Sequence, residues 1–373
     1  DTFGYTACLP QVLRLSEQDS FMTIKISWSN RTQFPFHSFH WQGIDGSKVF
    51  VHMPPEGDYN SRANPSALMK AQEMLRPADS KEDFLMLYGI GDGGGGPSEL
   101  MVESCIRESK IAWLPKVEMN TAQSYFDTLK KKKLPTYEGE MYLEKHRGTY
   151  TSGHDLKQKN RRLEEAMHDA ELISVFSGEN TKEQTDALYD VLMLNQFHDI
   201  LPGTCIAEAT DVALAEQAAA LSKAKDYISG KGKKGKKSYF NTLPHSRLEI
   251  LSTDSGQSYE ALDGTRVVAP YKFEGCGYGK KVKGSGKIPF EVNGDTVKTP
   301  YLEATFEGGK ISSLIYRGRE LAKEGLHIIK AYEDLPFIYD NWDIDADYRL
   351  KEKPVKFLGR EVVSVGEYLL VVR

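Results

Sequence analysis

The sequence predicts a chain of three successive parts: an α/β layer over residues 1–150, a helical bundle over residues 151–230 and an incomplete β-sandwich over residues 231–373. Three changes of pattern along the chain support this division. Apolar runs alternate with helical segments in the first part, apolar residues recur at helical spacing in the second, and the hydrophobic period becomes two in the third. A length of 373 residues suits two or three domains.

The first part alternates predicted strands with predicted helices, which favours a parallel sheet in an α/β layer. The strand candidates are residues 22–28, 49–52 and 84–88, and the helix candidates are residues 65–75 and 97–113. Ligands of parallel α/β sheets bind beyond the carboxyl ends of the strands. The glycine-rich segment at residues 89–97, which follows the last of these strands, is therefore a candidate binding loop.

Asp92 is a single carboxylate inside this glycine-rich segment. One interpretation gives it a chemical role at the end of a strand, and another makes it an ordinary turn residue. A third interpretation places a nucleotide on the glycine run and gives His198 a purely structural role. The pattern is neither GxGxxG nor GxxxxGK[ST], which weighs against nucleotide binding.

The second part shows the apolar spacing of three helices with short connections, which is typical of a bundle. Gly178 stands where the first helix is expected to end. Thr181 and Gln184 have the spacing of a capping box and predict the start of the second helix. Thr204 can cap the third helix.

The second helix ends in the segment NQFHDILPGT, residues 195–204. Its last apolar residues, Asn195 and His198 follow one another at steps of three and four, so His198 is expected to continue a buried helix face. Pro202 and Gly203 end the helix. Spacing alone favours a hydrogen-bonded core histidine over a ligand.

The third part follows a lysine- and glycine-rich linker at residues 231–237. Beyond this linker, alternating runs separated by turns such as Asn293-Gly294 and Gly308-Gly309 predict an all-β region, which we interpret as a sandwich.

Composition excludes several classes of function. A net charge of −5 gives no reason to expect nucleic acid or an anionic membrane as a partner. No apolar run reaches the length that spans a bilayer. Four cysteines without a CxxC pair argue against a disulfide framework and against a cysteine zinc site, and suit a reducing, cytoplasmic compartment. The chain starts and stops within motif-like segments, so we expect a fragment that lacks both ends of its parent.

Aromatic rings and carboxylates dominate the candidate functional residues, as in sugar-binding sites. The acidic candidates are Asp1, Asp45, Asp58, Asp92 and Asp199. Glycosidases need two carboxyl groups, one that protonates the leaving oxygen and one that acts as nucleophile or base. Asp1 and Asp92 are the expected pair.

Six segments of the sequence resemble, in order, those of the class II α-mannosidases of glycoside hydrolase family 38, in its cytosolic or bacterial branch. They are DTFGYTACLPQ, WQGIDGS with HMPPEGDY, IGDGGGGP, EMYLEKHRGTYTS, NQFHDILPGT and YEDLPFIYDNWDID. The resemblance implies a partial (β/α) catalytic barrel, then a three-helix bundle, then β-domains. It also implies zinc-dependent, retaining hydrolysis of terminal α-mannosides in mannose-containing oligosaccharides.

The resemblance implies a role for each matching residue. Asp1 corresponds to the nucleophile, which is also a zinc ligand, and Asp92 to the general acid/base. His198 corresponds to a second zinc ligand. The implied substrate contacts are Phe3, Asp58, Tyr59, Arg147 and Asp199, of which Asp199 also stands where it can orient His198.

The implied zinc site is incomplete in this sequence. The family supplies two further ligands from an HxD motif, and none of the nine histidines here is followed two places on by aspartate. We therefore expect the parent protein to be an α-mannosidase and this chain alone to be weakly active or inactive. The alternative is a non-catalytic carbohydrate-binding pseudo-enzyme on the same fold. The sequence leaves a homo-oligomer open and does not reveal the linkage preference.

Overall fold

A computed structural model describes residues 2–29, 31–76, 83–91, 93–230, 238–261 and 264–372. The chain divides into two compact units, Asp1–Gly148 and Thr149–Arg373. The division falls close to the first predicted boundary, while the predicted boundary at residue 230 lies inside the second unit. The exact domain limits stay a prediction.

The first unit combines short helices with one mixed sheet. Its helices are α1 (Leu9–Leu15), α2 (Pro65–Met74), α3 (Glu99–Glu108) and α4 (Ala122–Leu129), with 3₁₀ helices at Lys25–Trp28 and Arg147–Tyr150. Its strands are β1 (Ser20–Met22), β2 (Ser38–Gln42), β3 (Lys48–His52) and β4 (Thr136–Glu138). Asn64 caps α2 by accepting a hydrogen bond from the Ala67 amide, and Ser98 caps α3 in the same way through Met101.

The prediction of a parallel sheet is wrong for the middle of this sheet. The strand order is β1-β3-β2-β4, in which β1–β3 and β2–β4 are parallel but β2 and β3 are antiparallel. A tight turn joins β2 to β3, where the Gly43 amide donates to Ser47 O at 2.8 Å. A connection this short permits only an antiparallel pair, because parallel neighbours need a crossover of about a dozen residues or more. The barrel itself stays a prediction.

Two predicted strands of the first unit have a different structure. In the segment predicted at residues 22–28, β1 ends at Met22 and Lys25–Trp28 forms a 3₁₀ helix. The segment predicted at residues 84–88 forms no strand and makes a single parallel bridge, between Ser61 and Tyr88. Apolar runs of this length do not by themselves distinguish a strand from other buried backbone.

The core of the first unit lies on one face of the sheet. Its buried side chains are Ile26, Phe39, Trp41, Val49, Val51, Met53, Met141 and Leu143. The indole of Trp41 donates to Gly139 O at 2.8 Å, so its polar atom is satisfied inside the core. This bond ties β2 to the loop after β4 and so holds the edge strand on the sheet.

His52, at the end of β3, is a buried histidine that sequence reasoning did not single out. Its Nε2 accepts a hydrogen bond from the Leu85 amide at 3.1 Å, so the ring proton is on Nδ1. Nδ1 lies 3.0 Å from Ser38 Oγ and 2.9 Å from Tyr125 Oη. Burial, aided by the charge of His37, lowers the pKa of His52 to about 3.

We expect this buried histidine to make the protein less stable in acid. Below about pH 6.5 the unfolded chain binds a proton at His52 that the folded chain does not, so the free energy of unfolding falls by about 1.4 kcal/mol per pH unit until about pH 3. The stabilisation is complete above pH 6.5 and is lost as the pH falls. Urea denaturation between pH 4 and 7 measures this slope. His52→Gln should reduce it, and equal slopes in the two proteins would contradict the assignment.

The second unit begins with three helices that pack against one another: α5 (His154–Ser177), α6 (Lys182–Asn195) and α7 (Ala207–Gly230). Their shared core contains Leu163, Met167, Leu192 and Ala220. As predicted, α5 ends at Gly178, which adopts a φ of 68°. Thr181 precedes α6 as predicted, but its side chain makes no cap hydrogen bond, and the prediction of a capping box is wrong.

The predicted start of the third helix is also wrong. Thr204 Oγ1 donates to Asp199 O at 3.3 Å and so closes the preceding turn, while α7 begins three residues later. In the same way, α6 ends at Asn195, well before Pro202. Asn195 is buried, whereas the following residues form a turn of their own.

The remainder of the second unit is β-structure in several sheets. The strands are β5 (Arg247–Ala261), β6 (Gly264–Phe273), β7 (Lys280–Lys281), β8 (Glu291–Asn293), β9 (Thr296–Lys298), β10 (Leu302–Glu307), β11 (Lys310–Tyr316), β12 (Arg319–Glu320), β13 (Ala331–Tyr332), β14 (Glu352–Lys353), β15 (Val362–Val365) and β16 (Leu370–Val372). They form sheets ordered β5-β6-β7, β12-β11-β10-β9-β8, β13-β14 and β15-β16. All the pairings are antiparallel, as the period of two predicts, and the sandwich arrangement stays a prediction.

Among the described residues, none of the helices has both the length and the apolar character that crossing a bilayer requires. All four cysteines lie in the described part of the chain and are free thiols.

Candidate functional site

The first unit contains an open cavity of about 480 Å³. Its lining residues are Thr2, Tyr5, Leu9, Phe21, Met22, Thr23, Ile24, Lys25, Tyr59 and Leu87. They come from the N-terminal segment, from β1 and the 3₁₀ helix that follows it, and from two later loops. Rings, hydroxyl groups and one cation in a concave site suit a ligand with both apolar faces and polar groups.

Two of the segments picked out from the sequence meet at this cavity. The Ser61 amide donates to Leu87 O at 3.1 Å, which places the chain after Asp58-Tyr59 beside the chain that leads into the glycine run. A Cβ on Gly91 would overlap the amide oxygen of Asn60 and lie 2.9 Å from Tyr59 Cδ2. A glycine is therefore needed for the two loops to lie in contact.

The N-terminal segment is held against the segment that ends in Arg147. Tyr5 and Met141 form an antiparallel bridge through hydrogen bonds of 2.9 and 3.0 Å. Phe3 packs edge-on against the His146 ring, with centroids 5.1 Å apart, and also contacts the core of the first unit. Phe3, predicted as a ring that contacts the sugar, thus makes at least part of its contacts within the protein.

Lys25 is a buried cation that sequence reasoning missed. Its residue is only 5% exposed, and its Nζ lies 3.9 Å from the centre of the Trp28 ring and 5.4 Å from that of Tyr59. Rings at these distances attract an ammonium group, and the attraction grows when water is excluded. A lysine inside the apolar run FMTIKISW was the available signal, because lysine is rarely buried without a partner or a function.

The turn that carries Asp58 and Tyr59 is stabilised by the Asp58 carboxylate. Asp58 Oδ1 accepts a hydrogen bond from the Asn60 amide at 2.8 Å. Glu56 is buried, and burial, with the charge of Asp58, raises the pKa of its carboxyl group. Trp28 donates to Gly57 O at 3.4 Å and links this turn to the 3₁₀ helix that contains Lys25. Asp58 therefore has a structural role, whatever else it binds.

The remaining predicted residues of the first unit are Asp1, Asp92 and Arg147. Asp1 and Asp92 lie outside the described residues, so their geometry as a catalytic pair stays a prediction. Their described neighbours Thr2 and Gly91 lie at the cavity and against Tyr59 respectively. Arg147 is exposed at the start of a 3₁₀ helix.

His198 and Asp199 lie in the second unit, in the turn of residues 196–203 that follows α6. The His198 side chain is 31% exposed, so it is not a core histidine. Its Nε2 is 3.9 Å from Asp199 Oδ2, which is too far for a hydrogen bond. The Phe197 ring lies beside the imidazole, with centroids 4.3 Å apart. The turn therefore presents an imidazole and a carboxylate side by side and partly exposed.

Close backbone contacts hold the turn of residues 196–203 against the start of α5. A Cβ on Gly203 would lie 2.5 Å from Ser152 O and 2.8 Å from Gly153 N, and the residue has a φ of 80°. Real Cβ atoms do not approach backbone this closely. Both the position and the conformation therefore require glycine.

We expect Gly203→Ala to destabilise the second unit by about 3 kcal/mol, because left-handed strain adds to a backbone clash. Gly178→Ala is the matched control, since Gly178 has a φ of 68° but open space around its Cβ position. Strain alone should cost about 1 kcal/mol there. Urea unfolding of both variants measures the difference. Equal losses would show that the Gly203 contact is not tight.

The part of the chain that the structure describes contains no group of three histidine, cysteine, aspartate or glutamate side chains that could hold a metal ion. Among the described residues of its unit, the carboxylate near His198 is that of Asp199, whose Oδ2 lies 3.9 Å from His198 Nε2. The described residues therefore do not make a complete zinc site.

Sequence profiles of known domains match most of the first two predicted parts. The profile "Glycosyl hydrolases family 38 N-terminal domain" matches residues 1–140, and the profile "Alpha mannosidase middle domain" matches residues 144–234. The boundary between the profiles falls near the division between the two compact units.

Individual proteins give the same result. The chain is 30% identical to human alpha-mannosidase 2C1 over 95% of its own length, and 39% identical to an alpha-mannosidase of Saccharomyces cerevisiae over 55%. It spans 37% and 21% of these relatives, respectively. A crystal structure of an alpha-mannosidase from Enterococcus faecalis matches 98% of the chain and 52% of that protein with a TM-score of 0.64 at 13% identity, which shows a common fold.

Proposed function

Since the chain is a member of glycoside hydrolase family 38, we propose that its whole protein hydrolyses terminal α-D-mannosides and retains the configuration at the anomeric carbon. Mannose-containing oligosaccharides are the proposed substrates. Because the cysteines are free thiols, a reducing compartment such as the cytoplasm is the proposed location.

The observation that carries this proposal is the cavity of the first unit. Thr2, which follows Asp1, and Leu87, which leads into the glycine run of Asp92, both line it, together with Tyr59. Two segments that resemblance assigns to the chemistry and one assigned to sugar binding thus border a single concave site. Its mixture of rings and polar groups suits a sugar, whose faces are apolar and whose edges carry hydroxyls.

The proposed reaction has two steps. Asp1 attacks the anomeric carbon and the bond from that carbon to the leaving oxygen breaks, while the Asp92 carboxylic acid gives its proton to that oxygen. The Asp92 carboxylate then takes a proton from water, which attacks the same carbon and releases Asp1. Two displacements on opposite faces restore the original configuration.

We also propose that Lys25 contributes its charge to this site. The ammonium group of a largely buried lysine at the cavity favours the ionised form of a nearby carboxyl group and binds sugar hydroxyls as a donor. Trp28 and Tyr59 fix its position through their ring faces.

Zinc remains a proposal. We propose that Asp1 and His198 are two of its ligands and that an HxD segment outside this chain supplies the others. His198 is accessible, and a neutral imidazole is a common zinc ligand. The 373-residue chain alone should therefore turn over an aryl α-mannoside slowly or not at all, even with added zinc. Turnover equal to that of the longer protein would show that the HxD segment is dispensable.

His198→Ala should remove zinc from the longer protein. Loss of one of four ligands should lower zinc occupancy by at least about tenfold after dialysis against a chelator, since metal affinity depends on a complete ligand set. Elemental analysis measures the occupancy independently of activity. His168→Ala is the control, because His168 is an exposed residue of α5. Full zinc occupancy in His198→Ala would contradict the ligand assignment.

A further inference from the structure

We infer that Lys157, on the first turn of α5, is a positioning residue. It holds the turn of His198 and Asp199 in the conformation that presents the His198 imidazole. Its Nζ donates to Leu201 O at 2.8 Å and also to Ser152 O. One side chain thus connects the His198 turn to the segment that leads into α5. The inference rests on the proposed role of His198, which it extends to the residue that sets the turn.

The position of Lys157 is electrostatically unfavourable for a cation. It lies four residues after Gly153, where α5 begins, and the N-terminal end of a helix carries partial positive charge. Burial lowers the pKa of its ammonium group, which shows that the group is partly removed from water. A lysine at the positive end of a helix dipole and away from water needs hydrogen-bond acceptors that offset both electrostatic costs. The carbonyl oxygens of Ser152 and Leu201 are these acceptors.

Two further contacts hold the chain just before His198. Asn195 Nδ2 donates to Glu216 Oε2 on α7 at 3.1 Å, and Gln196 Nε2 donates to Glu164 Oε1 on α5 at 2.9 Å. Lys157 holds the chain just after Asp199. The turn is thus tied to both neighbouring helices on one side of the functional pair and to α5 on the other.

The backbone of the turn, rather than a hydrogen bond to the imidazole ring, positions the His198 side chain. Among the described residues, the ring nitrogens of His198 make no hydrogen bond, and the nearest carboxylate atom is 3.9 Å away. An imidazole that makes no hydrogen bond takes its orientation from the turn that carries it, which here includes the adjacent Phe197 ring. By holding the turn, Lys157 therefore also orients His198. In metal sites this orienting role usually belongs to residues that hydrogen-bond the ligand directly.

The experiment uses three variants of the 373-residue chain. Lys157→Met removes the donors and keeps the length of the side chain, while Lys157→Arg keeps the charge and the donors. Arg162→Met is the matched control, because it removes an exposed basic residue from the same helix. Hydrogen exchange is measured at the amides of Ile200, Leu201 and Gly203, which make hydrogen bonds inside the turn. The affinity for Zn²⁺ is measured by titration of the same variants in the longer protein that includes the HxD segment.

In Lys157→Met these three amides should exchange about tenfold faster, because a hydrogen bond to a charged group has been lost. Exchange in the α5 and α6 core, at Met167 and Leu192, should not change, and the affinity for Zn²⁺ should fall about ten- to a hundredfold. Lys157→Arg should recover most of the protection, and Arg162→Met should match the wild type.

Unchanged turn amides in Lys157→Met would overturn the inference. Equal acceleration at the turn and in the helix core would also overturn it, since that result describes a general loss of stability. If the longer protein that includes the HxD segment binds no Zn²⁺ at all, the proposed metal role of His198 fails. The exchange rates would then still decide whether Lys157 holds the turn.

Discussion

Asp1→Asn should lower kcat/KM for an aryl α-mannoside by about 10⁴-fold or more in the longer protein that includes the HxD segment. Asparagine has nearly the shape of aspartate but cannot form the covalent glycosyl intermediate through a carboxylate. The change also removes a proposed charge from the zinc site, so zinc content must be measured in the same preparation. A variant that keeps its zinc and loses turnover separates the two roles of Asp1.

Asp45→Asn is the control for this experiment. Asp45 is exposed in the β2–β3 turn, where its carboxylate accepts hydrogen bonds from the amide and hydroxyl of Ser47. The asparagine oxygen can still accept from the Ser47 amide, and its NH₂ group can donate to the Ser47 hydroxyl. Activity should therefore stay within about twofold of the wild type, as is usual for surface changes. Substantial turnover by Asp1→Asn would mean that another residue is the nucleophile.

Asp92→Ala should produce a loss that depends on the leaving group. General acid catalysis contributes about 10²–10⁴-fold, and this contribution is needed most when the leaving oxygen is strongly basic. The variant should therefore lose far more activity on a mannose disaccharide than on a nitrophenyl mannoside. Azide, which needs no general base, should restore turnover of the nitrophenyl substrate and yield mannosyl azide of retained configuration.

The same assay on Asp58→Ala provides the comparison for Asp92. Asp58 stabilises its own turn through the Asn60 amide, so its loss should affect both substrates alike and should not respond to azide. If Asp92→Ala behaved in the same way as Asp58→Ala, Asp92 would not be the acid/base residue. The glycine run would then position a loop rather than a proton donor.

Part of the first unit could be predicted from the sequence, where the signals are local. The predicted strand at residues 49–52 occurs within β3 (Lys48–His52). The direction of β2 relative to β3 was missed, because the first strand of this pair lies in the ring-dense segment before the turn and was not recognised. The 3₁₀ helix at Lys25–Trp28 was missed because its apolar residues fit a strand equally well.

Resemblance to the family predicts which residues form the candidate site, but it does not predict how they are arranged. Resemblance predicts Asp58 and Tyr59 as substrate contacts, whereas the contact of their loop with the glycine run through Asn60 and Gly91 depends on tertiary structure. Lys25 was overlooked, although its position inside the apolar run FMTIKISW indicates a buried lysine. His198 was expected on a helix face, and it lies instead in a turn because α6 ends at Asn195.

The most direct test of the account is to trap the glycosyl-enzyme in the longer protein. An activated fluoro-substituted α-mannoside slows the second step, and peptide mass spectrometry then locates the attached sugar. We predict one adduct, on the peptide that contains Asp1, and more adduct in Asp92→Ala, where breakdown is slowed further. An adduct on another residue, or a product of inverted configuration without an adduct, would contradict the assignment of Asp1 as the nucleophile of a retaining α-mannosidase.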